Sequence, residues 1–268
     1  MKKYSILILL TVLFSCNPAE KNTDANQEST FTKSKNNFDF LPTSTTKQVV
    51  HHEFYTLSYN EKYENAEWVA YSLSPKQVSK AQRQRPYFIR DPKVKTKSAH
   101  YKNYYPNGYD KGHLLPAADM RFSEEAFDDT FFTSNVTPMD HDFNGGLWND
   151  LEKQVRYWVK RYGKLYIVTG GVLKPGLERI GRERVAVPDE FYKIILDYNN
   201  KKHPRMIAFL IKHHDTIVSP KVFSVPVDKI EKLTGIDFFP ALADDIENKI
   251  ESENHPEQWK FVHFERYH

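Results

Sequence analysis

The chain has 268 residues, with 38 Lys and Arg against 35 Asp and Glu and a formal charge of +3. That balance excludes a protein held to a polyanion by net charge alone. A single cysteine excludes an intramolecular disulfide framework, so a hydrophobic core must hold the fold.

Lys2 and Lys3 precede an apolar run from Ile6 to Phe14 that stops at Ser15-Cys16. The run falls short of the ~20 residues a membrane crossing needs, so residues 1–16 read as an export signal. Leu13-Phe14-Ser15-Cys16 resembles the bacterial lipobox, which implies a lipid on Cys16 and a place in the cell envelope, periplasmic or at the surface. Residues 17–47 are rich in Asn, Ser, Thr, Lys and Glu, a composition that cannot bury enough apolar surface to order itself. They are expected to be a flexible polar tether, leaving residues 48–268 as one large domain.

Within that domain, 52–58 and 67–73 read as strands, split by a polar Asn60-Glu61-Lys62 turn. Ser74-Pro75 predicts an N-cap with proline at the first helical position, opening a short helix. A basic tract follows, with Lys76, Lys80, Arg83, Arg85, Arg90, Lys93, Lys95, Lys97 and Lys102 opposed only by Asp91, whereas 228–265 leans acidic. Ser123 caps a second helix. The strongest helix follows Asn144, where Leu147, Leu151, Val155 and Trp158 share one face and Gly163 ends the run. Residues 164–169, 191–198 and 205–212 read as strands, and Leu242, Ile246 and Ile250 mark a late amphipathic helix. Strands and helices in this order, without regular βαβ alternation, predict an α+β fold with a central, mainly antiparallel sheet flanked by helices.

Chemistry concentrates between Tyr109 and Glu152. His113 follows a glycine that lets the backbone turn tightly, and a neutral imidazole can accept a proton from water near neutral pH. Taken alone it is one of eleven histidines. Asn144 could be an oxygen ligand of a divalent ion or simply a helix N-cap. Glu152, eight residues on, would lie about 80° round and ~12 Å along a regular helix. It could hold metal-bound water or merely pair with Arg156.

Asp110-Lys111-Gly112-His113, then Ser134-Asn135-Val136-Thr137-Pro138, then Asn144-Gly145-Gly146-Leu147-Trp148-Asn149-Asp150-Leu151-Glu152 together resemble the DNA/RNA non-specific endonuclease family. Tyr55 to Asn60 with Trp68 to Tyr71, Val168 to Gly171, Val187 to Lys193 and Leu233 to Pro240 are similar to further family blocks, in the same order. The resemblance implies a ββα-metal (His-Me finger) active site in which His113 is the general base and Asn144 the direct metal ligand. It further implies that Glu152 holds metal-bound water, Asn135 supports the site and Arg156 assists with the phosphate. The implied cofactor is Mg2+, with Mn2+ able to substitute; the implied substrates are DNA and RNA, held through phosphate and cleaved to 5′-phosphate products.

Two positions depart from the family pattern and a third is left open. Lys111 stands where the family has arginine, which keeps the charge but loses the bidentate fork. The family's upstream arginine corresponds to Arg83 or Arg85, a choice the frame around Phe88 and Asp91 leaves open. Met139 replaces a common glutamine. A catalytically weakened nucleic-acid-binding protein and a metal phosphoesterase with another substrate are the alternative readings. The pairs His51-His52 and His213-His214 lack zinc-ligand spacing and are expected to be surface histidines.

Overall fold

The computed structural model describes residues 38–105, 108–215 and 219–264. The expected export signal of residues 1–16, with Cys16, lies outside the described residues. Among those residues no helix is long and apolar enough to cross a membrane.

Strands β1 (Val49–His51), β2 (Tyr55–Asn60), β3 (Asn65–Leu73), β6 (Leu165–Gly171), β9 (Glu190–Asp197), β10 (Arg205–Lys212) and β11 (Ser224–Val225) form one sheet in the order β1-β2-β3-β6-β9-β10-β11. Every adjacent pair is antiparallel. Hairpins β4 (Asp110–His113) with β5 (Val136–Met139) and β7 (Glu178–Ile180) with β8 (Val185–Val187) stand apart from it. Helices α1 (Glu124–Asp129), α2 (His141–Phe143), α3 (Asn149–Tyr162), α4 (Val227–Thr234) and α5 (Asp244–Ser252) complete the α+β architecture.

The central strands are apolar on both faces because both are covered. One face packs Leu57, Val69, Ile167, Ile195 and Phe209 with Leu147, Leu151, Val155 and Trp158 of the helical segment. The opposite face packs Trp68, Val168, Ile194 and Ala208 against Ile230 of α4 and Phe238. Each buried Leu, Val, Ile or Phe among them contributes about 1.5–3 kcal/mol by leaving water, so α3 is anchored chiefly by its apolar stripe.

Three local expectations are corrected. The tether expected over residues 17–47 is contradicted for 38–47, while 17–37 lie outside the described residues. Phe38, Phe40 and Leu41 pack on the second core, Trp68 Nε1 donates to the Thr43 carbonyl at 2.8 Å, and the buried Glu67 carboxylate accepts the Thr45 amide at 2.9 Å. The compact unit therefore begins at Phe38. Ser74 opens a turn rather than a helix, because Gln77 folds back to accept its amide and hydroxyl. The chain beyond is polar and carries no helical apolar stripe to bury.

The segment around Asn144 is also less regular than its pattern suggests. Its N-cap is Asp140, whose carboxylate accepts the amides of Asp142 and Phe143. A π-turn over Asn144–Trp148, leaving helical dihedrals at Gly146, then separates α2 from α3. The spacing expected between Asn144 and Glu152 on one regular helix therefore does not apply.

Candidate active site

The β4–β5 hairpin presents His113. Its register pairs His113 with Val136 and Gly112 with Thr137, and a Cβ at Gly112 would collide with the buried Met139 side chain. Glycine is thus required by close approach, which is also where the family's glutamine has been replaced. The chain just after His113 is pinned by Asn135. Its Oδ1 accepts the Leu115 amide at 2.8 Å, and its Nδ2 donates to the Leu115 and Thr130 carbonyls.

The His113 ring lies between two aromatic walls, with Phe88 and Phe131 centroids at 5.5 and 5.0 Å. Each wall carries a cation: Lys111 Nζ is 5.5 Å from the Phe88 ring and the Arg85 guanidinium 5.6 Å from Phe131. His113 is half-buried, yet its Nε2 is sealed without a hydrogen-bond partner. Burial, and then the Arg85 charge, push its pKa down to about 3, so the ring is neutral at physiological pH.

Arg85 is therefore the arginine brought to His113. Arg83 donates instead from Nε to the Arg121 carbonyl at 2.9 Å and faces Glu124 at 4.0 Å. Both arginines, with Tyr87, line a surface groove of about 600 Å³.

Asn144 lies on the π-turn, and its Nδ2 donates to Asp110 Oδ2 at 2.8 Å. That bond fixes the amide orientation, and no described residue donates to Oδ1. The same Asp110 carboxylate meets His141 Nδ1 at 3.1 Å. Helix and hairpin are tied again where Trp148 Nε1 donates to the His113 carbonyl at 3.4 Å. A neutral amide oxygen on a rigid mount suits a hard divalent cation that keeps much of its water.

One turn of α3 further on, Glu152 belongs to a buried charge network. Arg156 Nη1 donates to Asp119 Oδ1 at 2.7 Å, and Tyr71 donates to Asp119 Oδ2 at 2.8 Å. Lys193 is fully buried on β9, 4.6 Å from the Trp148 ring, with Nζ 3.2 Å from Thr169 Oγ1. Burial raises the Glu152 pKa, against the opposing charges of Arg156 and Lys193. Burial lowers that of Lys193, against Glu152 and Asp119. Arg156 is thus committed to Asp119 from within the fold. Sequence reading gave no role to Asp110, Asp119 or Lys193; the one available signal was a lysine in an otherwise apolar strand, Phe191 to Leu196.

Two of the four histidines expected at the surface are buried. His52 bonds Asp91 at 2.9 Å through Nε2 and stacks on Tyr55. His213 Nε2 accepts the Asp140 amide, and the ring packs against Phe143 and Phe191. Both are apolar-faced rings that satisfy a polar neighbour in the interior. His51 and His214 are exposed.

A family model described as DNA/RNA non-specific endonuclease matches residues 33–245. The mitochondrial nuclease EXOG of Danio rerio is 32% identical over 208 residues, 70% of this chain and 61% of that protein. For the Homo sapiens EXOG the identity is 31%, with 56% of that protein covered, so the match spans under two thirds of these relatives. The mitochondrial endonuclease G of Homo sapiens is 31% identical over 72% of this chain and 70% of its own length. A crystal structure of an EndoG/EndoGI complex is similar with a TM-score of 0.69 at 29% identity, over 73% of this chain and 87% of that one.

Proposed function

The chain belongs to the DNA/RNA non-specific endonuclease family, and from that premise we propose that it is a metal-dependent nuclease hydrolysing phosphodiester bonds in DNA and RNA. The observation that carries the reading is the mutual fixing of His113 and Asn144, one on a hairpin and one on a π-turn, through Asp110 and Trp148.

With Nε2 sealed, His113 works through Nδ1. It accepts a proton from a water that attacks phosphorus; a P–O bond forms to that water and the bond to the 3′ oxygen breaks. The leaving oxygen takes a proton from solvent, and the new phosphate remains on the 5′ side. Asn144 Oδ1 would hold the divalent ion, Mg2+ or Mn2+, with Glu152 holding water beside it. When bound, that ion supplies charge neutralisation at the phosphate and the leaving oxygen.

Arg85 and Lys111 grip the non-bridging oxygens, and the phosphate they capture offsets the positive charge that depresses His113. Arg156 acts one step back, holding Asp119 and balancing Glu152 rather than reaching the substrate itself. Contacts made mainly to phosphate give weak sequence preference and an affinity that falls with salt.

The test is degradation of plasmid DNA and single-stranded RNA by the purified protein, with Mg2+ or EDTA, beside Asn144→Ala and His113→Ala. Metal-dependent cleavage of both substrates, lost in both folded variants, is the expected result. A folded wild type that binds nucleic acid but cleaves neither substrate with any divalent ion overturns it, in favour of a binding protein in which Lys111 marks the departure. The N-terminal pattern supports export with a lipid on Cys16. Cys16→Ser should move the mature protein out of the membrane fraction, and an unchanged distribution would refute the anchor.

A further inference from the structure

The acidic bias of the C-terminal region has a spatial focus where α4 and α5 approach each other. We propose that Asp228, Glu231 and Glu251 form a second cation site, separate from Asn144, that takes Ca2+ as a structural ion.

Asp228 and Glu231 lie one turn apart on α4, and Glu251 lies in the last turn of α5. One carboxylate oxygen from each falls within 4.8 Å of the other two. Glu251 is only 5% exposed, and its Oε1 is sealed from solvent with no hydrogen-bond partner. An ionised carboxylate in that state is costly unless a counter-charge reaches it. Glu231 is already oriented, because its Oε1 accepts the Phe238 amide at 2.9 Å.

The charges that face Glu251 are of one sign. Burial, followed by Glu231, Glu247, Asp237 and Asp228, raises its pKa to about 9. Lys229, Lys232 and Lys249 on the same helices point into solvent, and among the described residues none forms an ion pair with this cluster. Without an ion a proton on Glu251 relieves this repulsion, and a cation from solution would take the place of that proton.

Coordination habit chooses between the common ions. Ca2+ takes six to eight oxygens in a flexible geometry, whereas Mg2+ demands a near-ideal octahedron and resists losing its water. Three side-chain oxygens of graded exposure, completed by water on the Asp228 side, match the larger and more tolerant ion. An ion here would clamp α4 to α5 beside Asp237, the residue whose backbone amide and carbonyl both bond Thr43.

The experiment is thermal unfolding of the EDTA-stripped full chain at pH 7.5, titrated with Ca2+ or Mg2+, with calorimetry for stoichiometry. Ca2+ at 10 mM should raise Tm by roughly 3–10 °C, the shift expected for a Kd of about 10⁻⁴–10⁻³ M. Mg2+ should do much less. Glu231→Gln/Glu251→Gln should abolish the Ca2+ shift, and Asn144→Ala should retain it, which separates this site from the proposed catalytic one. If the double variant does not fold, Asp228→Asn, at an exposed position, should weaken the Ca2+ response by about tenfold or more. No Ca2+ shift in the wild type overturns the proposal, as does a shift that survives loss of these carboxylates or vanishes in Asn144→Ala. Stabilisation by acid alone, without any Ca2+ response, overturns it in favour of carboxyls that share protons.

Discussion

His213 offers a sharp test of how the site is held. Its Nε2 accepts the backbone amide of Asp140, the residue that caps α2 and whose carbonyl accepts the Asn144 amide at 2.9 Å. The ring must therefore be neutral, with its proton on Nδ1, for the Asn144 segment to be seated. Burial, and then His214, lower its pKa from 6.5 to about 4. A histidine with a depressed folded pKa binds its proton more readily when unfolded, so its stabilising contribution is complete above about pH 6.5 and declines as pH falls toward 4. At pH 5, 1.5 units below the unfolded pKa, the loss is about 2 kcal/mol at 1.36 kcal/mol per unit. His213→Gln keeps an acceptor for the Asp140 amide but cannot titrate. Urea unfolding at pH 7.5 and pH 5.0, followed by tryptophan fluorescence, should show the variant losing about 2 kcal/mol less than the wild type between the two pH values. The variant's packing cost against Phe143 and Phe191 appears at both pH values and cancels. Equal losses in the two proteins would refute the assignment.

Arg85→Ala should reduce kcat/KM for plasmid cleavage by about 10²-fold and Arg83→Ala by less than about threefold, because only Arg85 faces His113. Removing the Arg85 charge also lets the His113 pKa rise, so the acid limb of the pH–rate profile should move to higher pH; equal losses in the two variants would sink the distinction. Lys193→Met leaves the half-buried Glu152 and the buried Asp119 with one fewer counter-charge and should cost about 3 kcal/mol in urea unfolding at pH 7.5, and an unchanged midpoint would count against the network. Gly112→Ala forces a methyl into Met139 and should destabilise by about 1–3 kcal/mol. A second substitution, Met139→Ala, should recover part of that stability, and a double variant no better than the single one would show that the contact is not the cause.

Much of this architecture was legible because it rests on period and punctuation. The β10 strand was expected at 205–212 and spans Arg205–Lys212. The buried stripe of α3 and its stop at Gly163, with φ of 103°, also follow from the pattern. The family motifs singled out His113 and Asn144, and the structure ties their two segments together through Asp110 and Trp148. Features set by tertiary contact were not legible. The docking of residues 38–47 depends on Thr45 meeting Glu67 and on Thr43 meeting Trp68, pairs separated by more than twenty residues. The burial of His52 and His213 depends on Asp91 and Asp140 being brought to them, which no local pattern encodes. Short strands such as β1 and β11 carry too few residues to show a period at all.

The π-turn shows why the site's geometry had to come from cross-links rather than from helix periodicity. Inserting a residue into an α-helix rotates the turns before the insertion by about 100° relative to the turns after it. Leu151, Val155 and Trp158 must face the sheet to bury their area, so a continuous regular helix would fix where Asn144 points. The π-turn uncouples the two demands, leaving α3 in register with the core while the preceding turn is set by others. Asp110 aims the Asn144 amide, Asp140 and His213 seat its backbone, and Trp148 ties the joint to the His113 carbonyl. Two of these contacts join the helical segment to β4, and the third joins it to His213 just past β10. The relation of His113 to Asn144 should therefore tolerate substitutions along the exposed face of α3, such as Lys160 or Arg161, and fail when any of these cross-links is removed.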